Sequence, residues 1–261
     1  MRLVAVGDLM VDVVVTGGGH DATARLGPGG TAANVAAWAA SLGAEAVAVG
    51  AVGNDAAARF LRAELGRRGV EALFATSTRG RTGTFVAADG ALHVDRGANA
   101  ALTPDELPAI PPADATLVSG YLSGDVVAAA LASARADLVV LDAAALDELP
   151  AGADGVVANE RRAVALTSEE PEAAVRALAQ RYRLACVTLG ARGAIAVLDG
   201  QVERAEPPGR FFQEVPGAGD AFAAGLLVTL ARGGSLADAL AEGCRCGAAA
   251  AAGPGWPERT D

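Results

Sequence analysis

Histidine and cysteine are scarce in this sequence of 261 residues, which contains two histidines and three cysteines. A histidine-based zinc site or a Ser-His-Asp triad would have to use His20 or His93, and neither lies in a recognisable motif. Cys186, Cys244 and Cys246 are too few for a disulfide scaffold, and we expect them to be inert reduced thiols. Zinc chemistry, triad catalysis and a disulfide-stabilised fold are therefore not expected.

Basic charge and long apolar runs are also lacking. The chain carries 21 basic against 31 acidic residues, a formal net charge of −10. Because phosphate backbones are held by clustered basic side chains, nucleic-acid binding is not expected. No stretch approaches the roughly 18 consecutive apolar residues that cross a bilayer, and residues 1–7 enter an apolar strand without the pattern of a signal peptide. We expect a cytoplasmic protein with no membrane or nucleic-acid partner.

The apolar residues that are present form short runs separated by helical patterns. Runs without polar alternation, as in strands buried on both faces, occupy residues 3–6, 46–49, 138–141 and 185–189. Helical patterns occupy residues 31–42, 55–68, 124–135, 171–182, 220–231 and 235–252. This alternation predicts one layered α/β domain over residues 1–261, with a mostly parallel central sheet.

Two segments have a different texture. Strand-like pieces at residues 11–16, 84–88 and 91–94 are joined by glycine turns, and Asp89-Gly90 is a strong hairpin signal. We interpret residues of about 11–27 and 73–97 as a small β lid inserted in the domain.

The strongest local signal is a turn of small residues that opens into an apolar helix. Gly217, Ala218 and Gly219 precede Asp220, and their unpaired N–H groups, with the positive end of the helix dipole behind them, suit a phosphate. Two interpretations of Asp220 are open. It is either a residue that caps the helix or a general base that takes a proton from an acceptor hydroxyl.

A second glycine turn leads into the helix at residue 31. Gly29 and Gly30 let the backbone approach a polyhydroxy ligand, while Asn34 offers donor and acceptor groups to its hydroxyls. The spacing from Gly27 to Ala32 also matches a dinucleotide fingerprint, but that motif must follow a strand within a βαβ unit. The alternative interpretation of Asn34 is a solvent-facing helix residue without a ligand. Asp12 follows the first strand, where ligands of open α/β sheets bind, or is simply a turn residue.

In order and spacing, these segments together resemble the ribokinase-like (PfkB) family of carbohydrate and nucleoside kinases. The segments that carry the resemblance over nearly the whole chain are residues 6–12, Gly29-Gly30-Thr31-Ala32-Ala33-Asn34, residues 50–55, Thr82-Gly83-Thr84, Gly97-Ala98-Asn99, residues 187–194 and Gly217-Ala218-Gly219-Asp220.

The resemblance implies a three-layer sandwich with a β lid that phosphorylates a hydroxyl of a sugar or sugar-like molecule, with ATP and Mg²⁺ as cofactors. Asp220 is then the catalytic base, and the backbone of Gly217, Ala218 and Gly219 holds the transferred phosphoryl group. The substrate contacts are Asp12, Gly29, Gly30, Asn34 and Asn99. The nucleotide side comprises Asn159, Thr188, Gly190 and Gly193. The resemblance also leaves open a homodimer of this chain formed through the lid.

Two departures from the family pattern concern ions. Glu214-Val215-Pro216 replaces the usual Asp-Thr-x, which leaves a monovalent cation undecided. Arg162 stands where the family's Asn-x-x-Glu has its glutamate, so Glu160 is the substitute metal ligand, or Arg162 contacts phosphate directly. The lid segment between Asp12 and Gly29 is also short, which predicts a reduced lid.

Three hypotheses about the function remain open. The leading one is a sugar kinase, with a nucleoside kinase as its close variant. The second is a degenerate member that binds nucleotide or sugar without turnover. The third is an NAD-binding oxidoreductase, which requires residues 27–32 to follow a strand directly, within a βαβ unit.

Overall fold

The computed structural model describes residues 1–88, 90–209, 216–253 and 255–257. Short 3₁₀ turns at Gly19–Asp21, Pro104–Glu106 and Gly190–Arg192 connect longer elements. Within the described residues, no helix is long and apolar enough to cross a membrane.

The elements in chain order are β1 (Arg2–Val6), β2 (Met10–Thr16), β3 (Thr23–Gly29), α1 (Thr31–Ser41), β4 (Glu45–Gly53), α2 (Ala56–Arg67), β5 (Val70–Ser77), β6 (Gly83–Ala88), β7 (Ala91–Asp95), α3 (Ala98–Ala101), β8 (Ala113–Ser119), α4 (Gly124–Ser133), β9 (Ala136–Asp142), β10 (Gly155–Asn159), α5 (Glu160–Thr167), α6 (Pro171–Leu178), β11 (Leu184–Thr188), β12 (Ala194–Leu198), β13 (Gln201–Ala205), α7 (Ala218–Ala231) and α8 (Leu236–Ala252).

The described residues form one large sheet of nine strands in the order β13-β12-β11-β10-β9-β8-β1-β4-β5. Neighbours from β11 to β5 are parallel, while β12 and β13 add an antiparallel edge. The central strands are predominantly apolar because helices cover both faces of the sheet, whereas the edge strand β13 carries Gln201, Glu203 and Arg204 at exposed positions. This architecture confirms the layered α/β fold with a mostly parallel sheet.

Side chains of β1 show how the two faces are filled. Because successive strand residues point to opposite faces, Leu3 and Ala5 pack in the layer formed with α1, α2, α7 and α8. Val4 and Val6 pack in the opposite layer, with α3, α4, α5 and α6. The result is a three-layer sandwich with a separate apolar core on each side of the sheet.

The lid is a second sheet of four described strands, in the order β3-β2-β6-β7. Its central pair, β2 and β6, is parallel, and the outer pairs are antiparallel. Gly90 follows β6 with φ of +77°, whereas Asp89 of the predicted hairpin lies outside the described residues. The first lid segment extends to Gly29, two residues beyond the predicted boundary.

The predicted start of the second lid segment, near residue 73, is wrong. β5 (Val70–Ser77) pairs in parallel with β4 along its whole length and is therefore the edge strand of the large sheet. Leu73 and Phe74 pack against opposite cores of the body, which explains why this segment stays with the large sheet. The second part of the lid begins at Gly83.

β1 lies at the point where the order of the large sheet reverses. The chain passes from β1 to the lid, returns to β4 on one side of β1, and later places β8 on the other side. In open α/β sheets, ligands bind in the crevice at the carboxyl ends of the strands beside such a switch point. The lid strands leave directly from that edge, so the crevice lies between the large sheet and the lid.

Asp55 fastens the second lid segment to the body. Its Oδ1 accepts hydrogen bonds from Ala58 N at 2.9 Å, which caps α2, and from Thr82 Oγ1 at 2.7 Å. Its Oδ2 accepts from Thr82 N at 2.8 Å. Burial opposes ionisation of Asp55, but the hydrogen bonds from Thr82 and Ala58 outweigh it and lower the pKa of the carboxyl.

Asp55→Ala is expected to lower the free energy of unfolding by about 1–3 kcal/mol, because it removes a helix cap and two lid contacts. A carboxyl with a lowered folded-state pKa contributes stability above its unfolded pKa of 3.8 and loses that contribution as the pH falls further. Urea unfolding at pH 7 and pH 3 should therefore show a difference from wild type that shrinks in acid. Asp147→Ala, at a side chain that is 97% exposed, is the control; an equal loss there would contradict the assignment.

Candidate active site

The first glycine turn brings the start of α1 over the carboxyl end of β1. Gly30 has φ of +81°, a conformation that favours glycine, and precedes the first residue of α1. A Cβ added there would lie 2.3 Å from the Asp8 carbonyl oxygen. Ala32 N donates to the same carbonyl at 3.2 Å. The backbone at this turn can therefore be built only with glycine, and it places Asn34 beside the crevice.

The second glycine turn begins α7. Gly217 has φ of +86° in the left-handed region, and α7 continues for 14 residues from Ala218. Gly219 is exposed, and a Cβ added to it would meet nothing within 4 Å. The first N–H groups of a helix lack partners within the helix and carry its positive partial charge. This turn can receive an anion at close range.

Asp220 joins these two turns. Its Oδ2 accepts a hydrogen bond from Asn34 Nδ2 at 2.9 Å, and the start of α7 has no side-chain cap. Burial raises the pKa of Asp220 to about 6, hydrogen bonds from Asn34 and Thr31 act in the opposite direction, and Asp8 adds repulsion. The carboxylate therefore faces α1 and the crevice, and the geometry does not support the capping interpretation.

Asp12 and Asn34 each present a buried oxygen to this cluster. Asp12 lies in β2 and packs so tightly on Gly29 that a Cβ on Gly29 would lie 1.6 Å from Asp12 Oδ1. Within the described residues, Asp12 Oδ1 and Asn34 Oδ1 have no hydrogen-bond partner. Burial and the nearby Asp220 carboxylate raise the pKa of Asp12 to about 8. Buried polar atoms are normally hydrogen-bonded, so these two oxygens are positioned to accept hydrogen bonds from a ligand.

Asp8 and Arg96 connect the base of the lid to the large sheet. Arg96 follows β7 and donates from Nη2 to Asp8 Oδ1 at 3.0 Å, and also to the carbonyl oxygen of Tyr121, just after β8. Burial outweighs the Arg96 contact and raises the pKa of Asp8. This ion pair crosses the switch point and holds the lid root beside it.

Asn99 does not have the role predicted for it as a substrate contact. Its Oδ1 accepts from Leu9 N at 2.9 Å, and its Nδ2 donates to the carbonyls of Leu9 at 2.9 Å and Arg96 at 3.0 Å. The side chain is 2% exposed. Both amide hydrogens are thus used to clamp the backbone between β1 and β2, and none remains for a ligand.

The four residues predicted for the nucleotide side lie together at the carboxyl ends of β10 and β11. Asn159 and Thr188 are direct neighbours in the register of these strands. Gly190 begins the following 3₁₀ turn, and Gly193, with φ of +85°, ends it. Asn159 Oδ1 caps α5 by accepting from Arg162 N at 2.8 Å. The grouping places these residues at the same edge of the sheet as the two glycine turns.

The residues at the place of the missing glutamate have partners near the protein surface. Glu160 forms a salt bridge with Arg192 at 2.5 Å, in which both side chains are exposed. Its role as a metal ligand stays a prediction. Arg162 Nη1 donates to the Leu146 carbonyl at 3.1 Å and to Asp147 Oδ1 at 3.2 Å, and its contact with phosphate likewise stays a prediction. Glu214 and Val215, on which the question of a monovalent cation depends, lie outside the described residues.

Asp142 is a residue of the crevice that the sequence analysis missed. It ends β9 and is the register neighbour of Ser119, at the end of β8. Burial and the Asp220 carboxylate raise the pKa of Asp142 to about 7, while the Ala144 N–H partly offsets them. A carboxylate that ends a buried parallel strand was the available signal. Its proximity to Asp220 depends on the order of the strands, which the local sequence does not contain.

The dinucleotide interpretation fails on topology. The strand that precedes Gly30 is β3, which belongs to the lid and pairs antiparallel with β2. A dinucleotide fingerprint requires a parallel βαβ unit in the main sheet. The glycines at residues 27, 29 and 30 therefore serve the lid and the crevice.

Comparisons with known proteins match nearly the whole chain. The model of the pfkB family of carbohydrate kinases matches residues 1–256. A fructokinase from Klebsiella pneumoniae is 29% identical over 97% of this chain and 94% of its own length. A solved fructokinase from Vibrio cholerae O395, in a form bound to fructose, ADP and calcium ion, is 25% identical, covers 96% of this chain and 92% of its own, and gives a TM-score of 0.78. The adenosine kinase from Sinorhizobium meliloti has the same fold, with a TM-score of 0.80 and 22% identity over 98% of this chain and 95% of its own.

Asp12→Asn is expected to raise the Tm of the ligand-free protein at alkaline pH. The folded protein binds the Asp12 proton more tightly than the unfolded chain does, so this residue's contribution to stability is lost as the pH rises through about 8. Asparagine carries no charge and escapes that loss. Thermal unfolding from pH 5 to pH 9 should show a gain over wild type that grows with pH, and Asp147→Asn should show none. A variant less stable than wild type at pH 9 would mean that the Asp12 carboxylate has a stabilising partner.

Proposed function

Because the chain belongs to the pfkB family of carbohydrate kinases, we propose that it transfers the γ-phosphoryl group of ATP to a hydroxyl of a sugar or sugar-like alcohol. The reaction takes place in the crevice between the large sheet and the lid. One observation carries the proposal: the hydrogen bond from Asn34 to Asp220 joins two buried oxygens, which have no partner among the described residues, to a helix start suited to phosphate.

The acceptor side of the crevice suits a molecule with several hydroxyl groups. Asp12 Oδ1 and Asn34 Oδ1 are acceptors without a donor in the described residues, and neighbouring hydroxyls of a sugar would supply two. Hydrogen bonding to a bound ligand also favours the ionised form of Asp12, whose pKa is otherwise about 8. A sugar-like acceptor is further supported by the relative from Klebsiella pneumoniae that carries the name fructokinase.

Asp220 is the general base of the proposed reaction. With a pKa of about 6 it is largely ionised at neutral pH, yet it remains basic enough to accept a proton. As the acceptor oxygen attacks the γ-phosphorus, its proton passes to Asp220, the new P–O bond forms and the bond to the ADP oxygen breaks. Asn34 holds the carboxylate in place throughout, through the hydrogen bond to Oδ2.

The turn at Gly217, Ala218 and Gly219 holds the developing negative charge. Backbone N–H groups at the start of α7 are fixed in direction before the reaction begins, so they need no reorganisation as charge shifts. Their positive partial charge also offsets the repulsion between Asp220 and the phosphate. The exposed Gly219 leaves the approach open on the solvent side.

ATP with Mg²⁺ is the proposed donor. Among the described residues, no group of three or more histidine, cysteine, aspartate or glutamate side chains is arranged to hold a metal ion. Magnesium sites in kinases often use only one or two carboxylates, with waters and substrate phosphates as the other ligands. Asp142, whose pKa is raised by burial and by Asp220, fits that role; the ion supplies charge neutralisation on the phosphates. Asn159, Thr188, Gly190 and Gly193 form the nucleotide side.

Asp220→Asn is expected to lower turnover by about 10²–10⁴-fold while the fold is kept, because it removes the proton acceptor. ATP consumption with Mg²⁺ should be measured on a panel of pentoses, hexoses, sugar acids and nucleosides. Asp238→Asn is a matched control, since Asp238 occupies the same third position in α8 and forms its hydrogen bonds within the described residues with Ser235, three residues before it. Near-normal turnover by the Asp220 variant would end the role of this residue as the base. A silent wild type with every acceptor would contradict the proposed reaction on this panel.

Asn34→Ala is expected to raise the KM of the acceptor more than that of ATP, because Asn34 lies on the acceptor side. It should also move the acid limb of kcat/KM to higher pH, since the Asn34 hydrogen bond lowers the pKa of Asp220 and its loss raises that pKa. The pH profile separates positioning of Asp220 from simple loss of binding. An unmoved acid limb, or a larger effect on ATP, would place Asn34 elsewhere in the mechanism.

A further inference from the structure

Residues 255–257, which we call the strap, are buried although the end of α8 is exposed. Ala252 and Gly253 face solvent, whereas Gly255, Trp256 and Pro257 are buried. Trp256 is 7% exposed, yet it is not among the residues of either core cluster of the sandwich. Its burial therefore comes from contacts outside the two main cores.

One contact of the strap is with the lid. A Cβ added to Gly27 would lie 2.4 Å from Cε2 of Trp256, so the indole ring rests directly on the backbone of β3. The first four residues of β3 are exposed, and burial begins at Gly27. Gly27 is also the register neighbour of Asp12 across the β2–β3 pair. The ring thus supports the strand position opposite the acceptor carboxylate.

The other contacts of the strap are with α1 and with the turn that begins α7. Trp38 Nε1 donates to the Gly255 carbonyl at 3.0 Å. A Cβ on Gly217 would lie 3.0 Å from the same carbonyl oxygen, and a Cβ on Gly255 would lie 2.7 Å from the Pro216 carbonyl. Both Gly217 and Gly255 have positive φ, at +86° and +99°. These two backbone segments pass each other at a distance that only glycine permits.

We propose that Gly255 and Trp256 act as positioning residues that hold the phosphate-binding turn at Gly217 and the acceptor strand β3 in a fixed relation. This inference rests on the proposed function, because the strap would set the distance between the bound sugar-like substrate and the bound ATP. Neither residue contacts the reacting atoms. Each half of the crevice is built on its own elements, and the strap touches both of them.

The expected kinetic signature follows from this division of contacts. If the strap sets only the separation between the two halves, each substrate still binds its own half when the strap is weakened. A misplacement of about 1 Å between reacting groups can cost about 10²-fold in rate. Trp256→Ala is therefore expected to lower kcat by about 10–100-fold, with the KM of ATP and of the acceptor each within about threefold of wild type. Trp256→Phe, which retains a ring on Gly27, should recover most of the loss.

A matched control separates positioning from loss of stability. Tyr182 is as buried as Trp256, at 5% exposure, but it packs in the core on the side of the sheet away from α1. Tyr182→Ala should lower Tm without the fall in kcat per folded molecule. An unchanged kcat in Trp256→Ala, or a fall no larger than that of Tyr182→Ala, overturns the proposal.

Gly27→Ala tests the same contact without opening a cavity, and it decides the matter if Trp256→Ala does not fold. The added methyl group must displace the indole ring, so kcat should fall. In Gly27→Ala/Trp256→Ala the space left by the ring accepts the methyl, and the double variant should lose less in Tm and kcat than the sum of the single losses. Where Trp256→Ala does not fold, Trp256→Leu takes its place in this cycle. Additive losses overturn the proposed contact.

A binding measurement distinguishes failure of the strap from failure of the proposed reaction. The sequence has two tryptophans, and labelling with fluorotryptophan observes both while it keeps the Trp38 hydrogen bond to Gly255. Trp256→Phe identifies the fluorine NMR resonance of Trp256. Titration of the labelled wild type with Mg²⁺ and ADP, with binding followed independently by calorimetry, should shift this resonance saturably, because the strap packs on the turn at Gly217. No shift despite binding overturns the strap even if turnover is normal. A shift with no turnover of any substrate supports the strap and places the failure in the proposed reaction.

Discussion

A hydrogen bond joins Asn34 to Asp220, two residues that lie 186 positions apart in the sequence, and so links the beginnings of two helices. It crosses between α1, which follows the lid, and α7, which begins at the phosphate-binding turn. Without this contact the two glycine turns would be separate features at one edge of the sheet. With it, the Asp220 carboxylate lies between the buried oxygens of Asp12 and Asn34 and the backbone amides at the start of α7, which is the arrangement that the proposed phosphoryl transfer requires.

The same crevice gathers carboxylates that destabilise the protein when they are ionised. Asp12, Asp142 and Asp220 have pKa values raised by burial to about 8, 7 and 6, and Asp220 contributes to the shifts of the other two. Such a group of like charges is costly unless ligands satisfy it. Sugar hydroxyls at Asp12 and a cation at Asp142 would both reduce that cost. The crevice therefore lowers the stability of the ligand-free protein and favours the binding of ligands that satisfy its carboxylates.

The layered fold and the two glycine turns could be predicted because their signals are local. Apolar runs without alternation indicated the buried strands, and small residues before α1 and α7 indicated where the backbone stays open. Asn99 and Asp142 could not be placed correctly in this way. Asn99 is used by the backbone of Leu9, and Asp142 is brought near Asp220 by the strand order. β5 was assigned to the lid for the same reason, because its pairing with β4 is a property of the assembled sheet.

The parallel pairing of β2 with β6 has a consequence for the order of folding. These two strands are separated in the chain by β3, α1, β4, α2 and β5, so the lid cannot form as an independent hairpin meander. Closing so long a loop costs conformational entropy, and the cost is smallest once the intervening elements have already folded back against β1. The acceptor half of the crevice is therefore a late-forming part of the molecule, completed only after one side of the large sheet exists to support it.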